Sequence, residues 1–276
     1  MDGQEVRCSG VNIRLYPAGH LLGAAMIDVQ MDRLRILITG DFALRETAGL
    51  PGGVWSGADY DALVMEGSHA ADNVYPTAAS LTHIHALWDV CQTSIEKGAS
   101  RLLILAQALG EAQAVYEALC QAQMQGKFPG LAIRMSGKAA KVASLYQQAI
   151  SAPFSAWRLP LMTAEIHDYF PHHSIVIASG WEGQTDDEIR TRLGLSSAEI
   201  AILRPSQTRT QQDTYDFPLH ASWGELYATA LAVRCREVML YHGTFNTPPS
   251  LMQCLEQCGR RISLLKNKLH TIGDVS

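Results

Sequence analysis

Hydrophobic and polar positions alternate with a period of two near the start of the chain. Val11, Ile13 and Leu15 alternate with Asn12 and Arg14, the pattern of a half-buried strand. Met26 to Gln30 and Arg35 to Thr39 give two more strand-like runs, with Met31-Asp32-Arg33 as a hairpin connection. Together they predict a small antiparallel meander. Asp61 to Glu66 reads as a short buried strand that ends in a carboxylate. The period then lengthens. Residues 77 to 97 predict an amphipathic helix with Leu81, Ile84, Leu87, Trp88 and Cys91 on one face. Arg101 to Ala106 predicts a buried strand, Gln107 to Gly110 a turn, and Glu111 to Met124 a helix. The alternation continues with a strand at Leu131 to Met135, a helix at Ala139 to Ser151, a strand entering the turn at Gly180, a helix at Thr185 to Leu193 and a strand at Ile200 to Leu203. Strand, glycine turn and helix in repetition predict a parallel α/β unit. Leu226 to Arg234 and residues 248 to 261 read as helices, Glu237 to Tyr241 as a strand, and Leu264 to Ile272 as an edge strand.

Composition narrows the setting. The chain has 276 residues, 47% hydrophobic, enough for one large core or two moderate ones. Its net charge of -5 excludes a strong overall basic footprint, so any nucleic-acid contact must come from a local patch. No signal peptide and no apolar run of membrane-spanning length is present, and a cytoplasmic location without membrane contact is expected. Six scattered cysteines form no CxxC pair, which fits free thiols in a reducing compartment. Cys254 and Cys258 share a predicted helix but lack two further soft ligands. His83 and His85 form a His-x-His inside a predicted helix. Residues two apart on a helix point in different directions, so both read as surface or packing residues.

Candidate chemistry sits at the ends of the meander. Pro17-Ala-Gly-His20-Leu-Leu-Gly23 follows the first strand, and Gly40-Asp41-Phe42 follows the third. An imidazole and a carboxylate on loop tips of a rigid sheet are what a zinc or manganese site uses. The wording of this stretch resembles the third and fourth metal motifs of the metallo-β-lactamase fold in its β-CASP nuclease branch, to which RNase J and the endonuclease of pre-mRNA 3′-end formation belong. Glu66 matches the family's glutamate, although Gly67-Ser68-His69 replaces its Ser-Thr-Tyr. Ala108, Leu109, Gly110 and Gln113 match a family turn whose arginine is here Glu111. Gly180-Trp181-Glu182-Gly183 stands where the family has a glycine-rich loop near the substrate phosphates. Phe217, His220, Glu225 and Leu226 fit the family's Phe-Ser-Ala-His-x-Asp-x-x-Glu-Leu, with Ser222 in place of its Asp. His242-Gly243 matches the closing His-Gly.

The resemblance covers the chain from about Val11 onward. It implies an α/β architecture: a partial metallo-β-lactamase αββα sandwich formed by residues 1–70 and 206–276, with a parallel β-CASP-like domain inserted at residues 71–205. It assigns His20, Asp41 and His242 as metal ligands, for zinc or else manganese, with the aspartate bridging two ions in the intact family. It assigns His220, supported by Glu66, as general acid. Gly110, Gly180 and Trp181 become candidate nucleic-acid contacts. Gly180 offers backbone amides at a helix start, and Trp181 either stacks on a base or packs.

The family's His-x-His-x-Asp-His, which supplies most ligands of the two-metal centre, occurs nowhere in the 276 residues. The first expectation is therefore one subunit of a split nuclease acting on RNA or DNA, its composite site completed by a second chain. The isolated chain would then be inactive. The second is an inactive pseudo-nuclease, a scaffold or nucleic-acid-binding partner, favoured by the changed Glu111, Glu182 and Ser222 positions. A reading frame begun too late is the third. Without the missing strands an apolar sheet face would stand open, so either a second polypeptide or self-association is expected to cover it.

Overall fold

The computed structural model describes residues 4–46, 50–70, 79–149, 170–181, 183–205, 214–215, 219–243 and 251–265, with residues 79–84 and 214–215 by their backbone alone. In chain order the strands are β1 (Gln4–Cys8), β2 (Val11–Pro17), β3 (Ala25–Met31), β4 (Leu34–Ile38), β5 (Tyr60–Glu66), β6 (Arg101–Leu105), β7 (Ala132–Met135), β8 (Ser174–Ala178), β9 (Ile200–Pro205), β10 (Thr214–Tyr215), β11 (Cys235–Tyr241) and β12 (Arg261–Leu264). The helices are α1 (Ala79–Glu96), α2 (Glu111–Met124), α3 (Gly137–Ala149), α4 (Asp186–Leu193), α5 (Trp223–Ala232) and α6 (Leu251–Gln257). Two compact units result, one of Met1–Glu46, Pro51–Thr77 and His220–Ser276, the other of Thr47–Leu50 and Ala78–Leu219.

The first unit is built on a seven-stranded sheet in the order β1-β2-β3-β4-β5-β11-β12. Strands β1 to β4 run antiparallel, while β4, β5, β11 and β12 run parallel. Ser9 and Gly10 both have positive φ, 49° and 81°, in a two-residue turn that twists with the strands it joins and sets Cys8 opposite Val11. Asp32, with φ 51°, does the same for the predicted β3–β4 hairpin.

The pleat sorts the strands onto two unlike faces. On one, Tyr16, Met26, Leu37, Leu63, Met65, Val238 and Leu240 are buried together with Leu226, Ala230, Leu251 and Leu255 of α5 and α6. Each such side chain contributes about 1.5–3 kcal/mol when taken out of water. Buried Asp28 on the same face is satisfied by both guanidinium donors of Arg35, at 2.9 and 2.6 Å, and by Tyr60. The opposite face carries, in register, the row Ile13–Val29–Ile36–Ala62 and the row Leu15–Ile27–Ile38–Val64–Met239. None of these side chains belongs to a buried cluster among the described residues. At the margin of that face Val6, Met31 and Leu34 are 47%, 48% and 41% exposed. The alternation of Val11, Ile13 and Leu15 thus predicted the strand correctly but marks the face that no described helix covers; Tyr16 is the β2 side chain that enters the core.

The second unit is a parallel sheet in the order β10-β9-β6-β8-β7. It is apolar on both faces, as a sheet covered on both sides must be. Leu102, Ile104, Ile175 and Ile177 pack with α1, α2 and α3, including Leu87, Trp88 and Cys91 of the predicted helical face. Leu103, Leu105, Val176 and Ile202 pack on the other side with Ile189 of α4. The mixed α/β architecture is therefore a parallel α/β unit inserted between β5 and α5 of a sheet with helices on one face. No helix among the described residues is long and apolar enough to cross a membrane.

Differences from expectation lie at the ends. β1 is an added edge strand. α5 starts at Trp223, not Leu226, because Ser222 caps it. The last strand among the described residues is Arg261–Leu264, parallel to β11; most of the edge strand expected at Leu264 to Ile272 falls in residues 266–276, outside the described residues.

Candidate metal centre and acid pair

Parallel pairing brings the C-terminal ends of β4, β5 and β11 side by side, and the candidate residues sit on the loops that leave those ends. Asp41 follows β4, Glu66 ends β5 opposite Tyr241, and His242 follows β11. His20 is delivered from β2 by the Pro-Ala-Gly-His turn. Hydrogen bonds from Ala43 N–H to Ala18 O and from Val54 N–H to Pro17 O lock that turn to the loop beyond Asp41. Gly19 has φ 74°, and a Cβ there would meet Ala43 O at 2.2 Å, so the turn accepts only glycine.

His220 comes from the segment before α5. Ser222 caps α5, accepting from Glu225 N–H at 3.3 Å, while the Glu225 carboxylate accepts from Ser222 N–H at 2.8 Å. The same carboxylate accepts from Leu44 N–H and from Arg45, at 2.6 Å, and Arg45 also donates to His220 O. Glu225 and Arg45 thereby fix the backbone of His220 beside the Asp41 loop. Ser222, where the family has an aspartate, is occupied as a helix cap.

Glu66 is fully buried. It accepts Phe42 N–H at 2.7 Å and lies 2.8 Å from His220 Nδ1. Burial pushes its carboxyl up, but the hydrogen bond and charge of His220 and the Phe42 amide outweigh burial and leave it below the ordinary glutamate value. For His220 burial pulls the imidazole down, yet the Glu66 carboxylate and the charge of Asp41 win and raise it above the usual histidine value. Burial, then the charges of Asp41 and Glu66, push the Tyr241 phenol up to about 12, so it stays protonated.

His20, Asp41 and His220 offer ligand atoms that all lie within 4.8 Å of one another. The His20 and His220 rings are 4.6 Å apart. His242 stands at the rim, with Nδ1 3.5 Å from Asp41 Oδ1 and its side chain 58% exposed. Its φ of 50° turns the chain sharply after β11. His69, from the loop after Glu66, places its ring 6.1 Å from that of His220. The five candidate residues His20, Asp41, Glu66, His220 and His242 are thus brought together by one unit. His69 joins them, a neighbour signalled in the sequence only by the departure of Gly67-Ser68-His69 from the family pattern. The donor set, imidazoles with one carboxylate, fits a zinc-like divalent ion.

Gly110, Gly180 and Trp181 belong to the other unit. Gly110, with φ 86°, precedes α2, but its N–H is already given to Gln113 Oε1 at 2.7 Å. Gly180 also has a positive φ, 86°. The next helix, α4, opens with Asp186, Asp187 and Glu188, and Thr185 and Glu188 cap it reciprocally. Three acids at a helix start repel a phosphate, so the amide cradle expected there is not formed by α4. Trp181 is 6% exposed and packs with Leu105, Val176 and Ile189, with the Arg192 guanidinium 4.8 Å from its ring centre. Of its two readings the structure supports packing. Glu111 accepts Gln107 N–H, and His85 is exposed beside Trp88. Glu182, Phe217 and the His83 side chain lie outside the described residues.

A histidine–carboxylate cluster at the ends of parallel strands, on a sheet interrupted by a parallel α/β insertion, is consistent with the metallo-β-lactamase fold. No protein-family profile matches the chain. Over 66 residues, 24% of this chain and 8% of the relative, it is 35% identical to cleavage and polyadenylation specificity factor subunit 3 of Dictyostelium discoideum. Over 107 residues, 39% of this chain and 13% of the relative, it is 32% identical to endoribonuclease YSH1 of Eremothecium gossypii. Over 120 residues, 43% of this chain and 24% of the relative, it is 29% identical to RNase aCSPSF2 of Saccharolobus solfataricus. The aligned stretches span less than a quarter of each of these relatives. Over these stretches the chain is similar to nucleases of the β-CASP branch of the metallo-β-lactamase fold.

Proposed function

We propose that this chain is one part of a metal-dependent phosphodiesterase acting on RNA, its active site completed by a second chain that brings the His-x-His-x-Asp-His ligands. The observation that carries this reading is the pair of buried Glu66 and half-buried His220 standing against His20 and Asp41 in one cluster. The names of the relatives, two of them ribonucleases, favour RNA over DNA.

His220 is the general acid. Glu66 accepts its Nδ1–H and holds the ring so that Nε2 bears the proton for the leaving oxygen. The Glu66 carboxylate also favours the protonated imidazole, raising it above the usual histidine value. His20, Asp41 and His242 would hold the metal, zinc or manganese, which when bound would supply Lewis-acid chemistry. Glu225 and Arg45 keep the His220 backbone in position.

The partner's docking surface is the open sheet face. The row Leu15–Ile27–Ile38–Val64–Met239 is apolar across five strands, and on β5 and β11 the same face ends at Glu66 and Tyr241. A second sheet laid on it would bring its own loop ends to the metal ligands.

The test pairs this chain with a candidate chain bearing His-x-His-x-Asp-His and assays cleavage of an end-labelled RNA. Cleavage is expected from the mixture and from neither chain alone. His20→Ala or His242→Ala should abolish it while circular dichroism stays unchanged. Cleavage that survives both changes would sink the composite site. The rival reading, an inactive partner, draws on Ser222 being a cap with no carboxylate in its place; a stable, RNA-binding complex with no cleavage would establish it.

A further inference from the structure

The cluster that the fold assembles differs from the ligand set that the family pattern names. His220, not His242, has its ligand atom within 4.8 Å of those of both His20 and Asp41. We infer that this chain by itself binds one divalent late first-row ion, Zn²⁺ by the chemistry of the donors, through His20, Asp41 and His220. Two imidazoles and one carboxylate with a further position open to water are a sufficient set for such an ion. All three side chains are half-buried, so the site is reachable from solvent and partly desolvated.

The contact between Glu66 and His220 supports this independently. A metal-ligating histidine commonly donates its other ring N–H to a carboxylate, which fixes the tautomer and strengthens the ligand. Glu66, fully buried and tied to Phe42 N–H, takes that place at His220 Nδ1. It leaves Nε2 as the free donor atom. Arg45 and Glu225 restrain the backbone of the same residue. Ligation and general-acid service use the same nitrogen and exclude one another. The single-ion form therefore belongs to the chain alone, and completion of the cage in the assembled enzyme would release His220 to its proton. The inference on the isolated chain does not need the nuclease reading: it is tested by metal binding, and that reading by cleavage in the complex.

The measurement is equilibrium dialysis of the purified chain against Zn²⁺ with elemental analysis, and titration with Co²⁺ followed by its visible d–d bands. One ion per chain is expected, with no thiolate charge-transfer band. His220→Ala should weaken binding at least as much as loss of an outer carboxylate partner, about 100-fold or more, and Glu66→Gln about 10–100-fold at unchanged stoichiometry. His242→Ala should retain the ion. Loss of the ion in His242→Ala with normal binding in His220→Ala would overturn the inference, as would less than one ion per chain. Should His220→Ala fail to fold, the wild-type Co²⁺ adduct decides. Its proton spectrum should contain a hyperfine-shifted, slowly exchanging imidazole N–H, the proton that His220 donates to buried Glu66, and its absence counts against the site.

Discussion

Replacing Glu66 by Gln keeps shape and volume and removes one charge. The wild-type carboxylate holds two charge-assisted hydrogen bonds, to Phe42 N–H at 2.7 Å and to His220 Nδ1 at 2.8 Å, in a fully buried position. Bonds to a charged group contribute about 1.5–3 kcal/mol each, against about 1 kcal/mol for neutral ones. The amide oxygen of Gln retains the Phe42 bond in neutral form, while its NH₂ meets the Nδ1–H of His220 donor to donor. The expected loss is about 2–3 kcal/mol, held toward the lower end because the His220 side chain is 28% exposed. The pH dependence has a definite sign. His220 is raised in the folded state, so its contribution is complete below the ordinary histidine value of about 6.5 and is lost as pH rises through the higher folded value. Glu66 is lowered, so its contribution is present above the ordinary glutamate value and is lost as pH falls through the lower folded one. The gap between wild type and variant should thus be widest between those limits and shrink on either side. Hydrogen exchange of the Phe42 amide reads the local stability, and imidazole NMR reads His220 directly. In the variant His220 should titrate below its wild-type value. An unchanged His220 titration, or a pH-independent stability gap, would refute the coupling.

Three further changes test other parts of the site. A Cβ on Gly243 would lie 1.9 Å from Gly67 O, so Gly243→Ala should force β5 and β11 apart at their ends, destabilise by about 1–3 kcal/mol in urea unfolding, and shift the His242 ring resonances. Ser222→Ala removes the α5 cap and should cost about 1 kcal/mol in the same assay, whereas Ser222→Asp should retain the cap. Ile36→Lys places a charge in the middle of the open face. It should leave the melting temperature of the isolated chain within a few degrees yet abolish co-elution with the completing chain; undiminished co-elution would remove that face from the interface.

Much of this was readable from the chain because β2 alternates, β3 to β5 are short apolar-rich runs, and the inserted unit repeats strand, glycine and helix. Periodicity names a strand's two faces without saying which one is covered: Ile13 and Leu15 lie outside the buried clusters of the described residues, while Tyr16 enters one. Gln4–Cys8 has a single large apolar side chain, Val6, and no inward stripe to betray it. Only Ser9-Gly10, a turn signal followed by an alternating run, pointed to β1. Ser222 was legible as a lost aspartate when compared with the family, yet Ser222-x-x-Glu225 is also a capping box, and the cap prevails because α5 needs its first amides satisfied. The approach of His220 to His20 and Asp41 depends on β11 pairing beside β5 across the whole inserted unit. No local pattern encodes that pairing.

The site's two halves also differ in what they need from a partner. Glu66 has both of its demands met inside this chain, by Phe42 and His220, and the His220 backbone is held by Arg45. A fully buried carboxylate could not wait for a second polypeptide, since unpaired it would cost several kcal/mol during folding. Metal ligands face no such penalty. Asp41 and His242, at 33% and 58% exposed, can be solvated until further donors arrive. The acid pair therefore forms with the fold, while the metal side stays incomplete. On the composite reading, assembly and not folding switches the activity on: the partner's ligands complete the cage beside a Glu66–His220 pair that the fold has already positioned, and free His220 for its proton.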